Sequence, residues 1–315
     1  MNSILSKAKL GSQLGARPPA AVELSPQGVL AAASPGPGKP PVYAFEPLPE
    51  GALTPGIGEQ NLRAPEVVAN AIRAALGQVS PRTRSITVIV PDTVVRVFVL
   101  DFDSLPGKAA EVIPVLRFRL RKMIPFEVEH AGLSYQVLVE NKTECKVLAA
   151  VIPGLVLAEY EAAARQAGYE PGAVLPTSLA ALGAIDSAEP VLAANLSALA
   201  LTTTIAHGQD LLLYRTLDLP EEPGLRLLEA QRGIAVAAAY YEDKLGVRPQ
   251  FLYFAGIGAG IGTGGNSAAE DFACWINDPE LTVADLAPRP ETGAATPLGN
   301  LVSLAGVVGA LAGAA

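Results

Sequence analysis

The sequence predicts an α/β protein large enough for two domains, and three observations support this. Short apolar runs at residues 20–24, 29–32 and 42–45 are separated by turn signals rich in proline and glycine, which predicts three strands joined by turns. A helical stretch at 64–78 and a solid apolar strand at 85–90 follow, and helical and strand-like segments alternate from there onward. The chain has 315 residues, of which half are apolar and 17% are charged, so it can bury two cores of ordinary size.

Composition also argues against some functions. The net charge is −8, which is opposite to the basic surface of a nucleic-acid-binding protein and disfavours broad attraction to an anionic membrane. The amino terminus lacks the apolar run of a signal peptide. The long apolar run at 301–315 is shorter than the roughly 20 residues of a membrane span and is rich in glycine and alanine. We therefore expect a closely packed terminal helix and no direct membrane span.

The middle of the chain predicts a helix that ends at a proline and is followed by strands. The helix, 107–122, has one apolar face formed by Ile113, Leu116, Leu120 and Met123. Arg117 and Arg121 lie one turn apart on another face. Pro125 ends the segment because its ring disfavours a helical conformation at the preceding residue. Strands at 132–140 and 145–152 and a helix at 154–167 are expected next.

This segment resembles the PilM family of type IV pilus assembly, in which an arginine- and glutamate-rich helix runs into Ile-Pro-Phe and a strand ending in Gln-Val-Leu follows. The resemblance extends to EPLPEGAL at 46–53 and to the helix at 158–168. It implies an α/β, two-lobed actin-like (RNase H-like) fold with a small inserted α+β subdomain of the PilM/FtsA type. The implied domains are a first lobe (9–93 plus 169–188), an inserted subdomain (94–168) and a second lobe (189–315).

The resemblance also implies a nucleotide site that has lost its chemistry. Residues 11–24 align without a gap to the family's first phosphate loop; Gly11 and Gly15 match, whereas Gln13 replaces the family's aspartate. Pro18 and Pro19 remove backbone donors from this loop, although Arg17 offers a direct partner for a phosphate. In the second loop, at 191–197, the aspartate falls on Asn195 or Ala194. Losing both anions removes the main attraction for Mg²⁺, so we expect no ATP hydrolysis.

A glycine-rich loop at 253–262 matches the family's adenosine-side motif in position. Gly256 and Gly258 complete the implied vestigial nucleotide site; tight packing of a turn is the alternative role for these glycines. His130 and His207 have no Cys or Asp set around them in the sequence, so no metal site or catalytic triad is expected. The sequence therefore predicts no catalytic residue and no cofactor, with ATP implied only by the resemblance.

The resemblance implies a scaffold protein, cytoplasmic and held at the inner membrane by a partner. The implied partner is a PilN-like single-span membrane protein, bound through its N-terminal peptide, and a homo-oligomeric ring is possible by the same resemblance. The expected binding surface is a groove between the first lobe and the inserted subdomain. Its candidate residues are Val95, Val97, Val99, Arg117 and Arg121. An edge of the strand that carries the three valines is the expected contact, and a solvated basic helix end is the alternative role for the arginines.

Two other functions stay open on the sequence alone. One is an active actin-like ATPase or sugar kinase, which needs acidic residues at 13 and 194–195 that the chain lacks. The other is an FtsA- or GspL-like component of cell division or type II secretion. An FtsA-like protein would have a basic amphipathic helix at its carboxyl end, whereas 301–315 carries no charge.

Overall fold

The computed structural model describes residues 17–36, 39–58, 60–141, 144–208, 210–256, 268–287 and 302–312. In these residues the strands are β1 (Ala20–Ser25), β2 (Gly28–Ala33), β3 (Val42–Pro47), β4 (Ser85–Val90), β5 (Arg96–Phe102), β6 (Gly132–Glu140), β7 (Cys145–Ile152), β8 (Glu170–Pro176), β9 (Val191–Leu196), β10 (Ala200–His207), β11 (Asp210–Asp218), β12 (Phe251–Gly256) and β13 (Thr282–Asp285). The α-helices are α1 (Pro65–Val79), α2 (Ala109–Leu120), α3 (Gly154–Gln166), α4 (Thr177–Leu182), α5 (Pro223–Leu245), α6 (Ala268–Ile276) and α7 (Ala305–Ala312).

The first lobe is a five-stranded sheet with helices on both faces. Its strand order is β3-β2-β1-β4-β8, in which β1 and β2 form an antiparallel hairpin and β1, β4 and β8 are parallel. Alternate residues of β1 face opposite sides: Ala20 and Val22 pack in the core that α1 and α3 cover, and Ala21 packs in the core that α7 covers. This period of two gives the sheet two buried faces.

The second lobe repeats the strand order of the first. Its sheet runs β11-β10-β9-β12-β13, with β9 antiparallel to β10 and parallel to β12. The α5 and α6 helices share a buried apolar cluster with this sheet. The hairpin of β10 and β11 is the one that His207 and Gly208 predict. The two lobes are therefore duplicates in topology, although no sequence repeat marks them.

The inserted subdomain is a three-stranded antiparallel sheet of order β5-β7-β6. One face packs on α2, through a cluster that contains Leu100, Leu116 and Leu120. The other face, with Val97 and Ala150, joins the core of the first lobe. Both faces of β5 are thus covered, which explains why its sequence does not alternate between apolar and polar residues.

Two helices lie in a different domain from the one predicted. Assigned by sequence to the inserted subdomain, α3 instead packs on α1 and β8 of the first lobe, because Val156, Tyr160 and Ala163 form a buried stripe on one side of the helix. Assigned by sequence to the second lobe, α7 packs on α4 and on β1 and β2 of the first lobe. It is a buried apolar helix, as expected from 301–315, and no helix in the described ranges is long and apolar enough to cross a membrane.

Candidate functional site

The parallel strands of the two lobes end at a common cavity. The turn after β1, the turn after β9, and the residues that follow β4 and β8 all line it, as does Gly256 at the end of β12. Its volume of about 80 Å³ exceeds the space of one water molecule but is below the roughly 300 Å³ at the lower end of small-molecule pockets. In open α/β sheets, the carboxyl ends of the strands are where ligands bind. This cavity is therefore the candidate site.

A buried carboxylate, Asp92, accepts four hydrogen bonds at the cavity. From the first lobe, Ser178 donates its backbone N–H to Oδ1 at 2.9 Å and its hydroxyl to Oδ2 at 2.5 Å. From the second lobe, the Tyr214 hydroxyl donates to Oδ1 at 2.8 Å and the Asn195 amide Nδ2 donates to Oδ2 at 3.0 Å. Each carboxylate oxygen thus has two donors. Asp92 is 7% exposed, so these four bonds replace the water that an anion needs.

A second acidic side chain, Glu23, lies at the carboxyl end of β1. Its Oε1 accepts a hydrogen bond from the Thr177 hydroxyl at 3.2 Å, and its Oε2 has no hydrogen-bond partner among the described residues. Loss of solvent around its carboxyl group, with a smaller contribution from the charge of Asp92, raises the pKa of Glu23 to about 8. The neutral acid therefore predominates near pH 7. No lysine or arginine is among the described residues that line the cavity to offset these acids.

Of the predicted nucleotide residues, two lie at this cavity. Gly11, Gln13, Gly15 and Gly258 fall outside the described residues. Asn195 lines the cavity but is engaged with Asp92 and with the Ser178 hydroxyl, 3.3 Å away. Gly256 has φ +137°, and a Cβ there would lie 2.3 Å from the Leu196 carbonyl oxygen. In this structure, Gly256 therefore fits its alternative role, which is to allow tight packing of the backbone.

In the first lobe, the turn of the β1–β2 hairpin lies later in the chain than the loop that the sequence alignment assigned to phosphate binding. Residues 25–28 form the turn between β1 and β2, and Ser25 and Gln27 line the cavity. Pro18 precedes β1 and lies against Gly172 of β8. Arg17 is buried and donates to the Gly309 carbonyl of α7 at 3.4 Å. The prolines therefore remove no donors from this turn, and Arg17 is not a phosphate partner at the cavity; both expectations are corrected.

The predicted partner-binding residues do not form one surface. Val95 and Val97 are buried in the core of the first lobe, and Val99 packs against the same core. The α2 helix, which carries the two arginines, covers the opposite face of the inserted sheet. Along the outer side of β5 lies β11 of the second lobe. The strand β11 therefore restricts the approach of a partner to β5 from this side.

Both predicted arginines are engaged within the chain. Arg117 donates through Nη2 to the Ala131 carbonyl at 3.1 Å, and Arg121 forms an ion pair with Glu129. Arg121 has an acceptor at the exposed helix end, whereas Arg117 is half-buried and its Nη1 is buried without a hydrogen-bond partner among the described residues.

Most of the residues that the sequence did not predict lie at or just after the carboxyl ends of parallel strands. Asp92 comes two residues after β4, Thr177 and Ser178 come directly after β8, and Glu23 lies near the end of β1. Polar side chains just after buried apolar strands are the available signal, because the carboxyl ends of parallel strands meet at one edge of a sheet. Tyr214 gives no such signal, since it reaches the cavity from the middle of β11.

Comparison with known proteins identifies the fold. No protein-family model and no curated protein matches the sequence. A chain of the PilM-PilN type IV pilus biogenesis complex aligns with 94% of this chain and 98% of its own length, at 18% identity and a TM-score of 0.71. A second match is the cytoplasmic domain of EpsL, an inner-membrane component of the type II secretion system of Vibrio cholerae. The alignment covers 93% of this chain and 92% of the EpsL chain, at 16% identity and a TM-score of 0.48. A third match is a Bacteroides thetaiotaomicron protein with an actin-like ATPase fold. The alignment covers 84% of this chain and 90% of that protein's chain, at 11% identity and a TM-score of 0.47. The predicted fold class is thus confirmed: the chain has a two-lobed, actin-like α/β fold with an inserted subdomain, the fold of the chain it matches in the PilM-PilN complex.

Proposed function

We propose that this chain is a non-catalytic scaffold of type IV pilus or related secretion assembly. It binds the cytoplasmic N-terminal peptide of a PilN-like single-span protein and is held by that partner at the cytoplasmic face of the inner membrane. The observation that carries the proposal is the fold match to the PilM-PilN complex, which extends over nearly the full length of both chains. Such a match includes the inserted subdomain as well as the two lobes common to many unrelated enzymes.

The chemistry of the cavity supports a non-catalytic role. Phosphoryl transfer requires a positioned Mg²⁺, and Mg²⁺ requires anionic oxygens that are free to bind it. Both oxygens of Asp92 already accept two hydrogen bonds each. The free oxygen of Glu23 belongs to a carboxyl group that is mostly neutral near pH 7 in the metal-free protein, so Mg²⁺ would first have to displace its proton. Neither side chain offers a ready ligand for the metal.

The free edge of β6 is the best place for a peptide in the groove between the inserted subdomain and the first lobe. β6 is an edge strand of nine residues, and its described pairing is with β7 on one side only. Its sequence, GLSYQVLVE, contains no proline and a single charge, and its pairing with β7 is regular from Gly132 to Val137, before a register irregularity between Val137 and Val139. This first part of the edge lacks the usual features that prevent an edge from accepting another strand. An extended peptide gains backbone hydrogen bonds at such an edge.

Side chains beside β6 add an apolar anchor point and a polar one. The first turn of α3 packs against the start of β6, because a Cβ on Gly132 would lie 2.7 Å from the Leu157 side chain. In the same turn, Leu155 is 84% exposed. On β6 itself, the side-chain nitrogen of Gln136 is buried and has no hydrogen-bond partner among the described residues. A peptide along this edge would cover the leucine, and the glutamine would donate a hydrogen bond to it once its shielded side chain turns towards the edge.

Binding of the partner peptide by surface variants tests this assignment. We expect Leu155→Ser and Gln136→Ala each to weaken binding of the PilN-like cytoplasmic peptide by about tenfold, because an anchor contact is worth about 1.4 kcal/mol or more. Leu228→Ser is the matched control, since Leu228 is 57% exposed but lies on α5 of the second lobe. Equal affinity of the three variants and the wild type would exclude this edge.

A further inference from the structure

We infer that Asp92 latches the two lobes together through Tyr214 and Asn195, so that the closed arrangement is built into the chain and requires no bound nucleotide. The group of Asp92, Ser178, Asn195 and Tyr214 is called the Asp92 latch below. This inference concerns the conformation of the lobes and does not depend on the proposed partner.

The latch is anchored firmly in the first lobe. Asp92 begins a short 3-10 helix, Asp92–Val94, directly after β4 and Pro91. Ser178 holds it from the start of α4 with both its backbone N–H and its hydroxyl. Because Asp92 and Ser178 follow adjacent parallel strands of one sheet, their separation is set by the sheet. The first lobe therefore positions the carboxylate, and the second lobe covers it, so that solvent reaches the Ser178 amide when the lobes separate.

The second lobe contacts Asp92 from two separate strands. Asn195 lies on the central strand β9, and Tyr214 lies on the edge strand β11. Contacts from two strands restrain both the rotation of the second lobe and its distance from the first lobe. Hydrogen bonds to an ionised, buried acceptor are also stronger than neutral ones. Burial and the nearby Asp92 charge raise the pKa of Tyr214, so its hydroxyl stays a donor.

Apolar contacts surround the latch on the side of the inserted subdomain. Leu211 of β11 is buried in the same cluster as Val97 of β5 and Val95, the residue before β5, and the Tyr214 ring packs against that cluster. Opening the lobes would expose this apolar surface and would also remove two of the four donors from Asp92. In other proteins of this architecture a ligand between the lobes can favour closure; here side chains of the chain itself span the gap.

Hydrogen exchange at the lobe interface tests the inference. Tyr214→Phe removes the hydroxyl and keeps the ring, and Asn195→Ala is a second, independent variant. We expect exchange of the backbone amide of Ser178, which donates to Asp92, to become about tenfold faster in each variant. In the wild type we expect slow exchange that Mg·ATP at millimolar concentration does not change. Amides in the interior of α1 report whether each variant stays folded and should be unaffected.

Tyr241→Phe is the matched control. Its hydroxyl donates to the Pro190 carbonyl at 3.1 Å, a bond that does not reach Asp92, and it should leave the Ser178 amide unchanged. Equal exchange at Ser178 in Tyr214→Phe and Tyr241→Phe would overturn the inference. A wild-type amide that becomes protected tenfold or more only when Mg·ATP is added would also overturn it, because closure would then depend on the nucleotide.

Discussion

Glu23 links the stability of the first lobe to pH. Glu23 is half-buried at the end of β1, with its carboxyl group close to Gly306 of α7, and the loss of solvent around that group raises its pKa to about 8 from an ordinary value near 4.5. The folded state therefore binds the proton more tightly than the unfolded state does. Between these two pKa values the folded protein carries a proton that the unfolded chain lacks, so stability falls as pH rises.

Glu23→Gln should remove this dependence. The amide keeps the acceptor for Thr177 and carries no charge at any pH. From about pH 5 to pH 8 we expect the free energy of unfolding of the wild type to fall relative to the variant by up to about 1.4 kcal/mol per pH unit. Urea unfolding at several pH values measures this difference. Parallel curves for the two proteins would show that Glu23 ionises as easily in the folded state as in the unfolded state.

Gly256 should tolerate no side chain. Its φ of +137° disfavours any other residue, and a Cβ would meet the Leu196 carbonyl oxygen at 2.3 Å. We expect Gly256→Ala to destabilise the protein by about 2 kcal/mol or more in urea unfolding. Gly208→Ala is the control, because Gly208 has φ +58° with nothing within 4 Å of its Cβ position. A loss at Gly256 no larger than the loss at Gly208 would contradict a packing role.

At the scale of elements, the contact of α7 with α4 depends on two glycines. A Cβ on Gly309 would lie 2.0 Å from the Ala180 carbonyl oxygen, and one on Gly183 would lie 2.4 Å from the Gly309 carbonyl oxygen. These positions let the two helix backbones touch, and α7 can then cover β1, β2 and β4. The carboxyl-terminal helix therefore completes the first lobe.

Gly309→Ala should force the two helices apart. We expect a loss of about 2–4 kcal/mol in the free energy of unfolding and faster proteolysis at the carboxyl end, because backbone cannot move aside as a side chain can. Gly77→Ala on α1 is the matched control: nothing lies within 4 Å of its Cβ position, so alanine should stabilise that helix by up to about 1 kcal/mol. If Gly309→Ala is as stable as the wild type, the close contact does not hold α7.

Most strands could be predicted from local signals, whereas the domain against which each helix packs could not. The first three strands lie within two residues of their predicted ends because proline and glycine mark the turns between them. The placement of α3 and α7 depends on which sheet face has room for an apolar stripe, and that is a tertiary property. The phosphate loop was misplaced because the segment Ala-Val-Glu-Leu, which follows the loop in the family pattern, here lies in β1 and precedes the hairpin turn.

At the scale of the whole molecule, the site comes from the duplication of one topology. Sequence similarity to a known pattern located Asn195 and Gly256, which both line the cavity. It could not locate Asp92 or Tyr214, because their partnership exists only where the two lobes meet. Residue patterns within one lobe carry no information on how the two lobes contact each other. The same reason explains why the contact of β5 with β11 could not be predicted, since β11 comes from the other lobe.

The central claim is that this chain binds a membrane partner's peptide without using ATP. Fluorescence anisotropy with the labelled cytoplasmic N-terminal peptide of a PilN-like protein, titrated with the full chain in the presence and absence of Mg·ATP, tests it most directly. We predict a dissociation constant of about 1 μM, or about −8 kcal/mol, that is the same in both conditions. No binding at 100-fold higher concentration, or binding that appears only with Mg·ATP, would contradict the account.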